Sequence, residues 1–379
     1  MAWITGVGMT AFGRHEGSST IGLMSQAATA ALDDAGLERR EIDGLVCGYS
    51  TTMPHLMLST LFAEHFGITP RYAHGTQVGG ATGLAMAMLS HLVVDGGAAR
   101  NILVVAGENR LTGQSRDTTM QTLAQAGHHR YEVPLGPTIP AYYALVASRY
   151  MHETGLRATD LAELAVLMRR NAAGHPGAHL REPISVAEVA ASRRIAPPLR
   201  LMDCCPISDG AAAFVIGREP TNARSLRILG CSQAHTHQHV TGAPSLTRFG
   251  AEASSSRALT MAGIALGDVG YAALYDSFTI TLAILLEEIG FSARGAAGRD
   301  TASGRYAADG AVPLNTHGGL LSYGHCGVGG ALAHLVEMHR QVTRRAGERQ
   351  IPGEPALAML HGDGGIMSSH VTLVVERPQ

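Results

Sequence analysis

An α/β fold with a largely parallel sheet, present twice along the chain, is what these 379 residues predict. Two observations carry that reading. Short apolar strand candidates alternate with longer amphipathic segments, and the same syllables return in the second half in the same order. The elements open with the strand Trp3–Val7, the helix Ile21–Asp34 and the strand Gly44–Cys47, followed by the helical run Gly79–Val94 and the strand Ile102–Ala106. Ala31-Leu32-Asp33-Asp34-Ala35-Gly36-Leu37, with Ile42 and Leu45-Val46-Cys47 after it, matches Ala258-Leu259-Thr260-Met261-Ala262-Gly263-Ile264, with Val269 and Ala272-Ala273-Leu274 after it. The helix Gly83–Val94 with the strand Ile102–Gly107 parallels Gly330–Val342 with Leu357–Gly362, and Ile4-Thr5-Gly6 parallels Ile228-Leu229-Gly230. The halves are expected to meet near Arg218–Ser225, dividing the chain into 1–222 and 223–379. Residues 110 to about 200 have no counterpart and read as an inserted loop region, after which Asp209–Gly217 rejoins the first half.

Composition narrows the function. Basic and acidic groups number 29 and 31, a formal charge of -2, which argues against nucleic acid as the main partner because phosphate neutralisation needs a basic excess. Every basic residue is Arg; there is no Lys. That removes Schiff-base aldolase chemistry, lysine aldimines of pyridoxal enzymes and phosphate loops that need a GK[ST] lysine. The five cysteines are odd in number and form no CxxC pair, as expected in a reducing compartment. The start, MAWITGVGMTAFGRH, has no signal-peptide pattern, and no stretch reaches the roughly 18 apolar residues of a membrane span. The expectation is a cytoplasmic protein.

The sharpest local signals lie in the second half: Tyr275-Asp276-Ser277-Phe278, Asn315-Thr316-His317-Gly318-Gly319, Gly324-His325-Cys326-Gly327 running on to Gly330, and His361-Gly362-Asp363-Gly364-Gly365. Each falls where a strand ends and a helix or turn begins, the edge at which duplicated α/β folds bind ligands. With Ser208-Asp209-Gly210-Ala211-Ala212-Ala213, these runs in this order resemble the thiolase superfamily, specifically the sterol-carrier-protein-type thiolases, over nearly the whole chain. The resemblance implies a duplicated βαβαβαββ fold with an inserted loop domain, a coenzyme A thioester as substrate, no separate cofactor, and a homodimer.

The departures from that family are as informative. Its nucleophilic Cys falls at Gly80, in Gly80-Ala81-Thr82-Gly83, and its second catalytic Cys falls at His361. A glycine cannot carry an acyl group, so the ping-pong route is lost. Cys326, beside His325, is a poor substitute because adjacent residues rarely point at one atom, and Cys204 and Cys205 read as core thiols. The family's oxyanion pair maps onto His325 and Tyr275, where a phenol replaces an amide and adds the capacity to transfer a proton. Tyr323 supplies a second phenol two residues before His325. Gly80, Asn315, His317, Gly319, His361 and Gly364 complete the expected substrate-binding set.

An enolate-holding site without a nucleophile suits retro-aldol cleavage of a β-hydroxyacyl-CoA, with Tyr275, Tyr323 and His325 as catalytic groups; the two phenols are interchangeable as acid and base. The YDSF and LLSYGH runs are similar to those of the lipid-transfer-protein aldolases of steroid side-chain degradation, and that resemblance implies a partner of the DUF35 type, with an OB-fold and zinc ribbon. The competing reading is a catalytically silent acyl-CoA-binding or structural subunit of a multicomponent acyltransferase. A strand through His235-Thr236-His237-Gln238-His239 would set three imidazoles on one face, a metal-binding alternative. Asp276 is expected to be structural, since it faces away from Tyr275 on an extended segment.

Overall fold

The computed structural model describes residues 2–378. Its strands are β1 (Trp3–Met9), β2 (Gly44–Gly48), β3 (Tyr72–Thr76), β4 (Asn101–Asn109), β5 (Arg194–Ala196), β6 (Leu199–Arg200), β7 (Asp209–Gly217), β8 (Leu226–His235), β9 (Tyr271–Leu274), β10 (Leu357–Gly364) and β11 (Ser369–Glu376). The helices are α1 (Thr20–Ala35), α2 (Leu58–Phe66), α3 (Thr82–Asp95), α4 (Arg116–Ala124), α5 (Ile139–Thr154), α6 (Ala158–Ala173), α7 (Val186–Ala191), α8 (Ala251–Ala262), α9 (Thr279–Ile289), α10 (Ala297–Ala302), α11 (Gly319–Ser322) and α12 (Val328–Val342).

Nine strands form one sheet in the order β3-β2-β4-β7-β1-β8-β11-β10-β9, joined in the middle by Trp3 opposite Arg227 and Ile4 opposite Leu226. The order repeats on the two sides of that seam. β2 lies between β4 and β3 in parallel, and β9 lies beside β10 in parallel, with Ala272 bridging to Leu314 where the first half has β3. β7 and β11 run antiparallel to their neighbours, so the sheet is mixed.

The repeated syllables have a packing cause. A side chain on Gly6 would strike the backbone of Ala31 and Ala35 in α1, and one on Gly230 would strike Ala258 and Ala262 in α8. Bare glycine on the strand lets an alanine-lined helix lie directly against the sheet, and both halves use the same contact.

Three apolar layers follow. α1 and α2 cover one face of the first half. α3 and α12 form the central layer and pack against strands of both halves. α8 and α9 cover the outer face of the second half together with α5 and α6. The inserted region is therefore more than a loop: Tyr150, Leu161, Leu164 and Met168 are core residues. Short strands and helices that the sequence pattern did not single out, α2, β3, α9 and β11, complete the architecture. No helix among the described residues is long and apolar enough to cross a membrane.

Candidate active site

Tyr275 leaves the end of β9 into a tightly held backbone. Its amide donates to the His361 carbonyl at 2.9 Å. Asn315, buried and at φ 44, accepts from the Leu274 amide at 2.9 Å and donates to the Leu274 carbonyl at 2.7 Å. His325 sits in the turn between α11 and α12. Ser208 fixes its backbone from both sides: the Ser208 amide donates to the His325 carbonyl at 3.0 Å, and the His325 amide donates to Ser208 Oγ at 3.3 Å.

These two frames bring Tyr275 Oη and His325 Nε2 to 3.0 Å, with the rings at 86°. The tautomer follows from the other ring nitrogen. The Gly327 amide, a donor only, lies 3.1 Å from His325 Nδ1, so Nδ1 accepts and Nε2 carries the hydrogen. Nε2–H and the phenol O–H are thus two donors on adjacent atoms that can converge on a single oxygen. Burial, reinforced by Arg110, holds His325 far below the ordinary imidazole range, at about 3, so the ring is neutral at physiological pH. Burial also pushes Tyr275 well above the usual phenol value; Cys205, Asp363 and Tyr49 add to this and Arg110 opposes it. Arg110 is held by a buried ion pair with Glu108 at 2.6 Å.

Gly80 closes the site from the opposite side. A Cβ built on it would lie 2.2 Å from Tyr275 Oη and 2.4 Å from the Asp363 carbonyl oxygen. The Tyr275 phenol fills the space that a side chain at position 80 would need. Val78, Gly79, Gly80, Tyr49, Cys205 and His325 are half-buried, whereas the Tyr275 side chain is buried. All five cysteines are free thiols. Burial raises each of them, Cys204 to about 12 and Cys326 well above the ordinary range, which leaves no thiolate at neutral pH.

Residues 232–377 match the family described as thiolase C-terminal domain-like. The chain is 30% identical to an acetyl-CoA acetyltransferase of Methanothermobacter thermautotrophicus, covering 97% of this chain and 98% of that protein. It is 31% identical to a steroid side-chain-cleaving aldolase of Thermomonospora curvata, covering 99% and 98%. The chain belongs to the thiolase superfamily. A solved structure, the Ltp2-ChsH2(DUF35) aldolase, superposes with a TM-score of 0.87 at 28% identity, covering 100% of this chain and 98% of that one.

Set on this thiolase frame, the residues singled out from sequence separate into two groups. Tyr275, His325, Gly80 and Gly364 come together, Gly364 packing closely on the Val78 carbonyl beside Gly80. The others lie elsewhere. The Tyr323 hydroxyl donates to the Thr10 carbonyl at 3.2 Å, among Phe12, His175 and His317, and makes no contact with Tyr275 or the His325 ring. His317 belongs to the same buried cluster, with His334 as neighbour. Asn315 clamps backbone instead of facing substrate. His361, the residue the resemblance set at the second catalytic cysteine, is tied into the β10–β11 hairpin by Thr372 Oγ1 at 2.8 Å and His370 Nδ1 at 3.1 Å, so its ring points into the core. Gly319 lies over the Asp276 carboxylate, which accepts from the Leu320 and Leu321 amides and so caps α11, a structural role.

The three-imidazole face does not form. β8 ends at His235, which bonds Ser369 and Gln233; His237 turns to the Ile366 carbonyl and His239 packs on His128. Among the described residues no group of three His, Cys, Asp or Glu side chains is placed to hold a metal ion. Sequence reasoning missed Ser208, Tyr143 and Asp363. Ser208 and Asp363 each sat inside a quoted motif, whereas Tyr143 lies in the insertion, where no motif pointed to it.

Proposed function

We propose that this enzyme acts on coenzyme A thioesters as a carbon–carbon lyase, cleaving a β-hydroxyacyl-CoA by a retro-aldol step without a cysteine nucleophile. The observation that carries the reading is the Tyr275–His325 pair standing in the space of the missing nucleophile. The aldolase name of the Thermomonospora relative supports it.

The chemistry balances without a co-reactant. A base removes the β-hydroxyl proton, the Cα–Cβ bond breaks, a ketone or aldehyde departs, and the electron pair becomes a thioester enolate. His325 Nε2–H holds the enolate oxygen. The proton taken from the hydroxyl is the one the α-carbon needs, so one phenol at the right place serves both steps. We assign it to Tyr275: its oxygen accepts the His325 N–H while it acts as the base, and that N–H turns to the enolate oxygen once the phenol has taken the hydroxyl proton. Tyr323, with its hydroxyl on the Thr10 carbonyl, is given the second place. The reaction as written uses side chains alone, with coenzyme A as part of the substrate.

A steroid-like acyl group, a homodimer and a DUF35-type partner belong to the same proposal. The superposed aldolase is named as a complex with a DUF35 component, and the sheet edge at β3 together with exposed Leu56, Met57 and Leu135 offers surface to cover. The test is to incubate the purified protein, with and without a DUF35-type protein, with β-hydroxyacyl-CoA substrates and to look for the shortened acyl-CoA and the released carbonyl compound. Absence of cleavage in both arms, with acyl-CoA still bound, would turn the reading to a silent binding subunit. Light scattering of the same samples reports assembly; a 39.7 kDa monomer unaffected by the second protein would remove the partner.

A further inference from the structure

Asp363 lies on β10 with its carboxyl fully buried, and Oδ1 has no hydrogen-bond partner. Its other oxygen, Oδ2, is 3.1 Å from the hydroxyl of Tyr143, a residue of α5 in the inserted region. That hydroxyl is also 3.0 Å from the Gly365 carbonyl oxygen. A phenol has one hydrogen to donate. Were Asp363 ionised, Tyr143 would face two acceptors with one proton, and an unpaired charge would sit in the core. With a proton on Oδ2 both contacts are satisfied: the Asp363 O–H donates to Tyr143 Oη, and the Tyr143 O–H donates to Gly365.

The surroundings agree. No ion pair to Asp363 occurs among the described side chains, and the groups packed about it are Tyr143 from α5, Glu288 from α9, Tyr275 after β9, and the neutral His361 and His370 on β10 and β11. Burial, helped by Glu288, raises the Asp363 carboxyl well above the usual range, and the nearby Tyr143 hydroxyl and Gly364 amide oppose this without overcoming it. Glu288 is itself raised to about 7. The Asp363 backbone carbonyl and the Tyr275 hydroxyl bracket one carbon-sized point, the would-be Cβ of Gly80, which sets the two residues side by side, and the Asp363 carboxyl acts on the phenol electrostatically.

We propose that Asp363 is a neutral carboxylic acid in the resting protein, and that it serves as a positioning residue for Tyr275 by keeping a negative charge away from it. A carboxylate here would raise Tyr275 further and suppress the phenolate that the retro-aldol step needs; the neutral acid, locked to Tyr143, does not. The catalytic half of this statement rests on the lyase reading above, whereas the protonation state does not. It also gives the inserted region a role: α5 delivers the hydroxyl that holds the proton in place.

The experiment compares Asp363→Asn, Asp363→Ala and Tyr143→Phe. Asn reproduces a neutral acid, with its amide donating to Tyr143. Infrared difference spectra at neutral pH should contain a protonated-carboxyl C=O band that is lost in Asp363→Asn; absence of that band in the wild type overturns the protonation state whatever the reaction proves to be. In the cleavage assay, Asp363→Asn should keep turnover within about threefold of wild type at neutral pH and lose any decline on the alkaline side. Asp363→Ala and Tyr143→Phe should each lower turnover at least about tenfold, with acyl-CoA affinity preserved. If Asp363→Asn instead falls by the factor of about 10²–10⁴ typical of losing a general acid or base, Asp363 transfers the proton itself and the positioning role is refuted. A protein without cleavage activity but with the infrared band retains the neutral acid and loses only the lyase reading.

Discussion

Gly80→Ala adds one methyl group at the point where the structure has least room for it. The new carbon would lie 2.2 Å from Tyr275 Oη, 2.4 Å from Tyr275 Cζ and 2.4 Å from the Asp363 carbonyl oxygen, so neighbours must move by more than an ångström. Tyr275 cannot yield through its backbone, because Asn315 grips Leu274 on both its amide and its carbonyl. The ring must turn, and it leaves His325. Overpacking of this kind costs about 1–3 kcal/mol. With an unfolding entropy near 2.1 cal/mol/K per residue, a chain of 379 residues loses only about 1–4 °C in Tm for that cost. Activity should suffer far more, since an ångström of misplacement costs about 10²-fold. Calorimetry and chromatographic assay of acyl-CoA cleavage read the two effects on one sample. A double-mutant cycle isolates the cause: in a Tyr275→Ala background the same methyl should cost at least about 1 kcal/mol less. Strict additivity, or a Gly80→Ala protein with unchanged Tm and turnover, would refute the claim that the phenol occupies the nucleophile's place.

Three further outcomes are expected. Tyr275→Phe should lower turnover by about 10²–10⁴, whereas Tyr323→Phe, which removes a hydrogen bond to the Thr10 carbonyl, should cost no more than about tenfold; equal losses would return the base role to Tyr323. Intact mass after incubation with acetyl-CoA or acetoacetyl-CoA should reveal no acyl adduct, because Gly80 has no thiol and every cysteine is held protonated by burial; a stoichiometric adduct on Cys326 would contradict this. Stability should fall as pH drops below about 6.5: His175, His325 and His370 are held down to about 4, 3 and 4, so the unfolded chain takes up protons first. Their contribution is complete above the unfolded value and diminishes by about 2 kcal/mol each at pH 5, while Glu288, raised to about 7, and the raised Asp363 act in the opposite direction and offset part of the loss. Urea unfolding at pH 7.5 and pH 5.0 measures it, and equal free energies at the two values would rule it out.

Much was legible in the linear chain because the fold is built from local rules used twice. Alternating apolar segments gave the α/β class, and the recurrence of Gly6 with Ala31 and Ala35 as Gly230 with Ala258 and Ala262 is a packing constraint written in residues that lie close along the chain. The absence of Lys excluded Schiff-base and lysine-aldimine chemistry by composition alone, whereas it was the resemblance to thiolases that marked Gly80 as the place of a missing thiol. The pairing of Tyr275 with His325 was readable through its resemblance to a known motif order. Which other motif residues reach that pair was not readable. Tyr323 and His361 sit in strand-end runs as suggestive as those of Tyr275, yet one hydroxyl turns to Thr10 and the other ring is caught between Thr372 and His370, choices set by which face of a strand or turn meets which neighbouring layer. Tyr143 and Asp363 stand 220 positions apart and meet only because α5 packs over the end of β10. The exclusion between a side chain at Gly80 and the phenol of Tyr275 is likewise a matter of volume shared by two halves of the chain. Sequence fixes what each residue is able to do; only close packing decides which residues must share one space, and at this site that sharing determined the chemistry.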